Sequence, residues 1–226
     1  MFDPTKNIDY KIDYEKIRKQ LTNDLKLKGF QDYFESSDKF ETYISNWFIT
    51  LKKNESKKSE FKPQSTINEF FQLPIIFDNI EINITLNINK ILSQIEKFDE
   101  FKLFINRQEI FGFGPKYFTF DKTIKVNNKH QIKNTPLIAI EWFDPKGKFT
   151  IADGNHRLNI KKFNKHNLFE IIILTFENTI LLREDIFFSK WDAAFYTLEY
   201  ELNTLHKLSQ DGIPRLDPKD SLSHLF

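Results

Sequence analysis

The chain has 226 residues, 40% hydrophobic and 15% aromatic, with 25 Phe, 6 Gly and no cysteine. It is long enough to bury a core, and it cannot form a disulfide, a thiolate metal site or a thiol nucleophile. Lys and Arg number 33 against 32 Asp and Glu, a net charge of +1, so no global field draws in nucleic acid and any basic surface is local. There is no run of about 18 apolar residues, and residues 1–14 are too polar for a signal peptide, so the expected location is the cytoplasm, with no membrane partner.

Tyr14, Ile17, Leu21 and Leu25 recur at helical spacing between an Asp13 cap and Gly29, and Phe40, Ile44, Trp47, Phe48 and Leu51 repeat the pattern behind Ser37. Together they predict an N-terminal helical hairpin. The polar run Lys52 to Ser65 breaks the periodicity and reads as a linker or exposed loop. Ile80, Ile82, Ile84 and Leu86 alternate with polar residues, which predicts a half-buried strand. Ile88, Ile91, Leu92, Ile95 and Phe98 then step as a helix. Short strands are expected at Lys102 to Ile105 and at Tyr117 to Phe120, flanking an F-G-F-G-P turn.

The segment from Leu137 predicts a hairpin: a strand L-I-A-I-E-W, a turn from Phe143 to Lys148, and a returning strand that ends near Ala152. A helix is expected from Asn155 to about Asn164, followed by a central strand from Phe169 to Phe176 covered on both faces. Trp191, Phe195, Leu198, Leu202 and Leu205 predict one amphipathic helix from Ser189 to Gln210. Its apolar seam either packs on its own domain or pairs with a second copy as a homodimer. The expected organisation is a helical region and linker over 1–64, a mixed α/β domain over 65–186, and a helix and tail over 187–226.

The chemistry concentrates in I-A-D-G-N-H-R, Ile151 to Arg157. A strand running through an acid-glycine turn into a basic helix brings backbone N–H groups without intrahelical partners beside polar side chains, an arrangement suited to anions. Gly154 lets a ligand approach the backbone, and Arg157 offers a forked donor for phosphate. Lys161, one helical turn on, extends a basic stripe toward Lys165.

Residues 136–175 resemble the ParB/sulfiredoxin-like family on P-L-I-A-I, D-P-K-G-K-F-T-I-A, D-G-N-H-R-L-N-I-K-K-F and L-F-E-I-I-I-L. The resemblance implies an α+β fold: a small mixed sheet with packed helices, here joined to the N-terminal hairpin and the long C-terminal helix. It also implies a nucleotide site in which Gly154 and Arg157 cradle phosphates. Family members include CTP-binding partition proteins, ATP-dependent sulfinic-acid reductases, a free-serine kinase and nucleases. The reductases carry a cysteine at the position of Asn155, which excludes their reaction here. Partition proteins carry a second arginine and a helix-turn-helix domain, and neither is seen. Glu177-Asn178 with Arg183-Glu184-Asp185 resembles their E-N-x-x-R-E-D box with two extra residues, a shift of about 200° round a helix.

The expected ligand is ATP or CTP with Mg, bound through Gly154, Asn155, His156, Arg157 and Lys161, with hydrolysis or phosphoryl transfer. Asp153 either caps the helix or ligates the metal. His156 either donates to a phosphate oxygen or carries a proton. A phosphotransferase also needs a carboxylate to activate the acceptor hydroxyl, and of Glu141, Glu109 and Glu177 the first lies closest to the motif strand. Glu141 can equally face solvent. Trp142 and Phe143 stack a base or fill the core. Two other readings remain open: a DNA-binding or nuclease protein whose basic stripe contacts backbone phosphates, and a protein-interaction module with a non-catalytic motif.

Overall fold

The computed structural model describes residues 12–55, 70–77, 80–97, 105–109, 118–119, 136–144, 147–155, 157–158, 168–210 and 216–226. The architecture is mixed α+β. Its helices are α1 (Tyr14–Leu27), α2 (Ser37–Asn54), α3 (Ile88–Lys97), α4 (Phe176–Leu181), α5 (Arg183–Ile186) and α6 (Lys190–Gln210). Its strands are β1 (Phe70–Phe77), β2 (Ile80–Asn87), β3 (Ile105–Glu109), β4 (Phe118–Thr119), β5 (Leu137–Asp144), β6 (Gly147–Asp153) and β7 (Leu168–Leu174). They form two compact units, one of Met1–Asn68, Gln72–Leu86 and Phe187–Phe226, the other of Glu69–Phe71 and Asn87–Ile186. The N-terminal helices and the C-terminal helix, far apart in sequence, therefore share one unit.

In that first unit α1 begins where the Asp13 carboxylate accepts from Lys16 N at 3.0 Å, which satisfies one of the donors a helix start leaves over. It buries Tyr14, Ile17, Leu21 and Leu25, the four residues its spacing singles out. The cap of α2 is Ser36, one residue before the expected Ser37. This helix runs to Asn54, so the start of the expected linker is helical; buried Leu51 and Asn54 hold that last turn against the core. Residues 56–65, the rest of that run, lie outside the described residues. The alternating strand is found as β2, with Ile82, Ile84 and Leu86 buried. Its partner β1, over F-F-Q-L-P-I-I-F, is an element for which the sequence carried no expectation, and its Pro74 cannot donate to a ladder. An exposed proline on one strand of a two-stranded sheet is tolerated at an edge. The apolar seam of α6 is buried throughout, and α2 packs against this helix.

The second unit holds a five-stranded mixed sheet in the order β3-β7-β5-β6-β4. β5 and β6 form the expected antiparallel hairpin, with Ile138 opposite Asp153, Ala139 opposite Ile151 and Glu141 opposite Phe149. β7 returns on the other side of β5, parallel to it. As expected it is a central strand, flanked by β3, with both Ile171 and Ile172 buried, but it ends at Leu174 and not Phe176, because Thr175 caps α4 and Phe176 begins it. β3 runs over 105–109 and pairs with β7 from Ile105↔Ile172 to Glu109↔Leu168; residues 102–104 of the strand expected at 102–105 lie outside the described residues. β4 comprises Phe118 and Thr119, and Tyr117 and Phe120 of the expected strand lie outside the described residues. The F-G-F-G-P segment and the end of the motif helix lie outside the described residues. Leu158, on that helix, packs on one sheet face with Leu137, Ala139, Ile151 and Ile171, and this cluster fixes the helix start against the hairpin.

Candidate functional site

β6 delivers Asp153 at its C-terminal end, opposite Ile138 at the start of β5. The chain then turns at Gly154, whose φ of +97° lies in the left-handed region that favours glycine. Helix follows at once, as Leu158 N donates to Gly154 O at 2.9 Å. Arg157 folds back over the turn instead of reaching into solvent. Its Nη2 donates to Asp153 Oδ2 at 2.9 Å and to Pro136 O at 3.3 Å. The side chains of Arg157 and Asp153 are only 12% and 25% exposed.

The guanidinium lies against the α-carbon of Gly154. A Cβ built there would stand 3.0 Å from Nη2, 3.3 Å from Nε and 2.2 Å from Leu137 Cδ2. Glycine is thus required both by backbone conformation and by space. Asn155 is half-buried and turns away from the helix start, its Nδ2 donating to Ile151 O at 3.0 Å. It ties the helix back to β6.

Asp153, Gly154, Asn155 and Arg157 are therefore brought together. His156 and Lys161, expected beside them, lie outside the described residues, as does Lys165. Glu141 is not brought to the turn. It lies three residues along β5 from the partner of Asp153, about 10 Å at the rise of a strand. Nor does it face solvent. It is buried, and its Oε2 accepts from Phe176 N at 3.0 Å, capping the first turn of α4. Trp142 is buried. Glu177 is exposed on the first turn of α4, and the side chains of Phe143 and Glu109 are outside the described set.

The E-N-x-x-R-E-D-like residues are split between two short helices. Thr175 Oγ1 donates to Asn178 Oδ1 at 2.8 Å and Arg183 Nη1 donates to Ile180 O at 3.1 Å. Both contacts are local. Among the described residues no group of three or more His, Asp or Glu side chains is placed to hold a metal ion, and no helix is long and apolar enough to cross a membrane.

The other unit holds buried carboxylates that sequence reading passed over. Glu201 Oε2 accepts from Trp47 Nε1 at 2.6 Å, Tyr43 OH at 2.9 Å and Ser221 Oγ at 3.0 Å, and its Oε1 accepts from Leu222 N at 2.7 Å. Burial raises its carboxyl above the ordinary range despite these donors. Half-buried Glu199 is pushed up to about 7 by burial, partly opposed by Lys28. Asp192 is fully buried and accepts from Thr85 N at 2.9 Å and from the Ser189 hydroxyl. These groups organise a core. One signal was available: Glu201 follows Leu198 by three and so shares the apolar seam.

Compared with protein-family models, with curated proteins and with solved structures, the chain returns no match.

Proposed function

We propose that the turn Asp153 to Arg157 binds the phosphates of a nucleoside triphosphate, ATP or CTP, together with magnesium. The proposed scaffold is a ParB/sulfiredoxin-like domain that hydrolyses the nucleotide or transfers its phosphoryl group. The observation that carries this reading is the guanidinium of Arg157 laid against the bare backbone of Gly154. That contact sets the strongest oxyanion donor among side chains next to a helix start. The order hairpin, turn, helix and a strand parallel to the first arm of the hairpin agrees with the domain type.

The residues present suit the metal as well. Magnesium takes one or two carboxylates and completes its shell with phosphate oxygens and water, and Asp153 is one partly exposed carboxylate beside the phosphate donor. When bound, the ion would neutralise charge on the phosphate oxygens. Asp153 would hold it, Arg157 would hold a phosphate oxygen, and Asn155 would keep the turn in place through Ile151. Proton transfer would fall to His156, since Glu141 is engaged at α4.

Isothermal calorimetry with ATP and CTP in magnesium tests the proposal. Binding by the wild type that is lost or weakened at least tenfold in Arg157→Ala is the expected result. Absence of binding by the wild type, or equal binding by the variant, overturns it.

A further inference from the structure

The segment 216–226 is seated on α2 and α6 by groups distant from it in sequence. Its Leu216 N donates to Tyr33 O at 2.8 Å. Lys39 Nζ pairs with Asp217 Oδ2 at 3.3 Å as well as with Glu35 at 2.5 Å. Thr50 Oγ1 donates to Ser223 O at 3.4 Å, and Lys53 Nζ to Phe226 O at 3.2 Å. Between these lies Glu201, whose carboxylate serves both surfaces. Tyr43 OH and Trp47 Nε1 of α2 donate to Oε2; the tail donates Ser221 Oγ to Oε2 and Leu222 N to Oε1.

Emptying this seat would strip the buried Oε1 of its donor and Oε2 of one of three, so the seat favours an occupant. Its layout, a lysine toward either end and an anion in the middle, calls for a particular sequence of groups: an acid, then a hydroxyl beside a free N–H, then a carbonyl. Asp217, Ser221, Leu222 and Phe226 supply that sequence, and every copy of the chain carries it. The tail is joined to α6 only through residues 211–215, D-G-I-P-R, and the six steps from Gln210 to Leu216 reach about 20 Å at full extension.

We propose that the α2–α6 seat is an interaction site for a second copy of this chain, which docks by exchanging its 216–226 segment. The proposal does not rest on the phosphate-site reading. Exchange reuses the contacts of the monomer, so its opponents are the entropy of association and the chain's own tail. The latter competes at an effective concentration of roughly a millimolar. Exchange therefore shows when one chain's tail is spoiled, or when chains refold crowded together.

The test mixes two full-length variants. Glu201→Ala keeps its tail and loses the carboxylate of the seat; Ser221→Ala with Leu222→Pro keeps the seat and loses both tail donors to it. Ser221 has φ −62° and ψ 140°, extended backbone that a following proline accepts, so the second change removes an N–H without forcing the chain. By light scattering each variant alone should be a monomer, and the equimolar mixture should give a species of about twice the mass. Far-ultraviolet circular dichroism confirms folding. A mixture of folded variants that stays monomeric overturns the proposal, as does a dimer formed equally by either variant alone. If a variant fails to fold, wild type refolded from denaturant at roughly millimolar chain decides. It should yield a dimer that is suppressed by an excess of a peptide of residues 216–226. Monomer only, or a dimer indifferent to the peptide, overturns exchange.

Discussion

Leu137 stands where a side chain on residue 154 would have to go: its Cδ2 lies 2.2 Å from a Cβ built on Gly154. Leu137 is itself locked in the cluster with Ala139, Ile151, Leu158 and Ile171, so it cannot swing aside without opening that core. Gly154→Ala should cost about 3 kcal/mol, from the left-handed φ and the overpacking together. Gly29 offers the comparison, since its φ is +75° but the nearest atom to a built Cβ is Asp32 Oδ2 at 3.7 Å. Gly29→Ala should cost only about 1 kcal/mol, the conformational part alone. Denaturant unfolding of both variants checks the ordering, and equal losses would refute it.

Glu141 should prove structural. Glu141→Gln keeps an acceptor oxygen for Phe176 N and should lose less than about 1 kcal/mol, whereas Glu141→Ala leaves a buried N–H unpaired and should lose about 2 kcal/mol. Nucleotide affinity, measured by calorimetry, should stay within about twofold of wild type in Glu141→Gln, because the residue lies some 10 Å along β5 from the register of Asp153. Loss of binding or turnover in the folded Gln variant would place Glu141 back at the site.

Glu199 and Glu201 make a specific prediction about pH. Burial raises both carboxyls above the ordinary 4.5, Glu199 to about 7. Between 4.5 and about 7 folded Glu199 holds a proton that the unfolded chain has released. The Glu199 contribution is complete below pH 4.5 and is lost as pH rises through about 7, and that of Glu201 changes in the same direction. Wild type should therefore lose stability from pH 5 to pH 7.5, and Glu199→Gln should lose less over the same interval. Parallel curves for the two proteins in denaturant titrations would contradict the account.

Asp192 ties β2 to the start of α6. Asp192→Ala removes the acceptor for Thr85 N and the partner of the Ser189 hydroxyl, both buried, and should cost about 3 kcal/mol. Asp192→Asn retains an acceptor oxygen and should recover at least half of that, read as the shift in the unfolding midpoint.

What the sequence made legible is whatever depends on neighbours within one element. Tyr14, Ile17, Leu21 and Leu25 are buried because their spacing leaves a helix no other choice of face. The alternation through Ile82, Ile84 and Leu86 settles β2 in the same way. The I-A-D-G-N-H-R turn was legible as strand, left-handed glycine and helix start, because each residue type matches a local conformational demand. What escaped depends on distant partners. The Glu201 donors come from residues 43, 47, 221 and 222, which no periodicity connects. Glu141 alternates as a strand residue should, but its partner is the first N–H of a helix after another strand. The extension of β3 to Glu109 answers to its pairing with β7. β1 lacks strict alternation and contains Pro74, which an edge position permits. The pairing of Arg157 with Asp153 was open to an i,i+4 reading, yet only coordinates show the arginine folded over the glycine.

The central claim is that the turn at Gly154 receives an oxyanion. The most direct measurement is an amide-resolved ¹H–¹⁵N titration of the full chain with ATP and Mg²⁺. The account predicts saturable shifts centred on Gly154 to Leu158, with the Arg157 Nε–H signal moving in step and with no such response in Arg157→Ala. Shifts centred on other elements, or none at millimolar ATP, would contradict it.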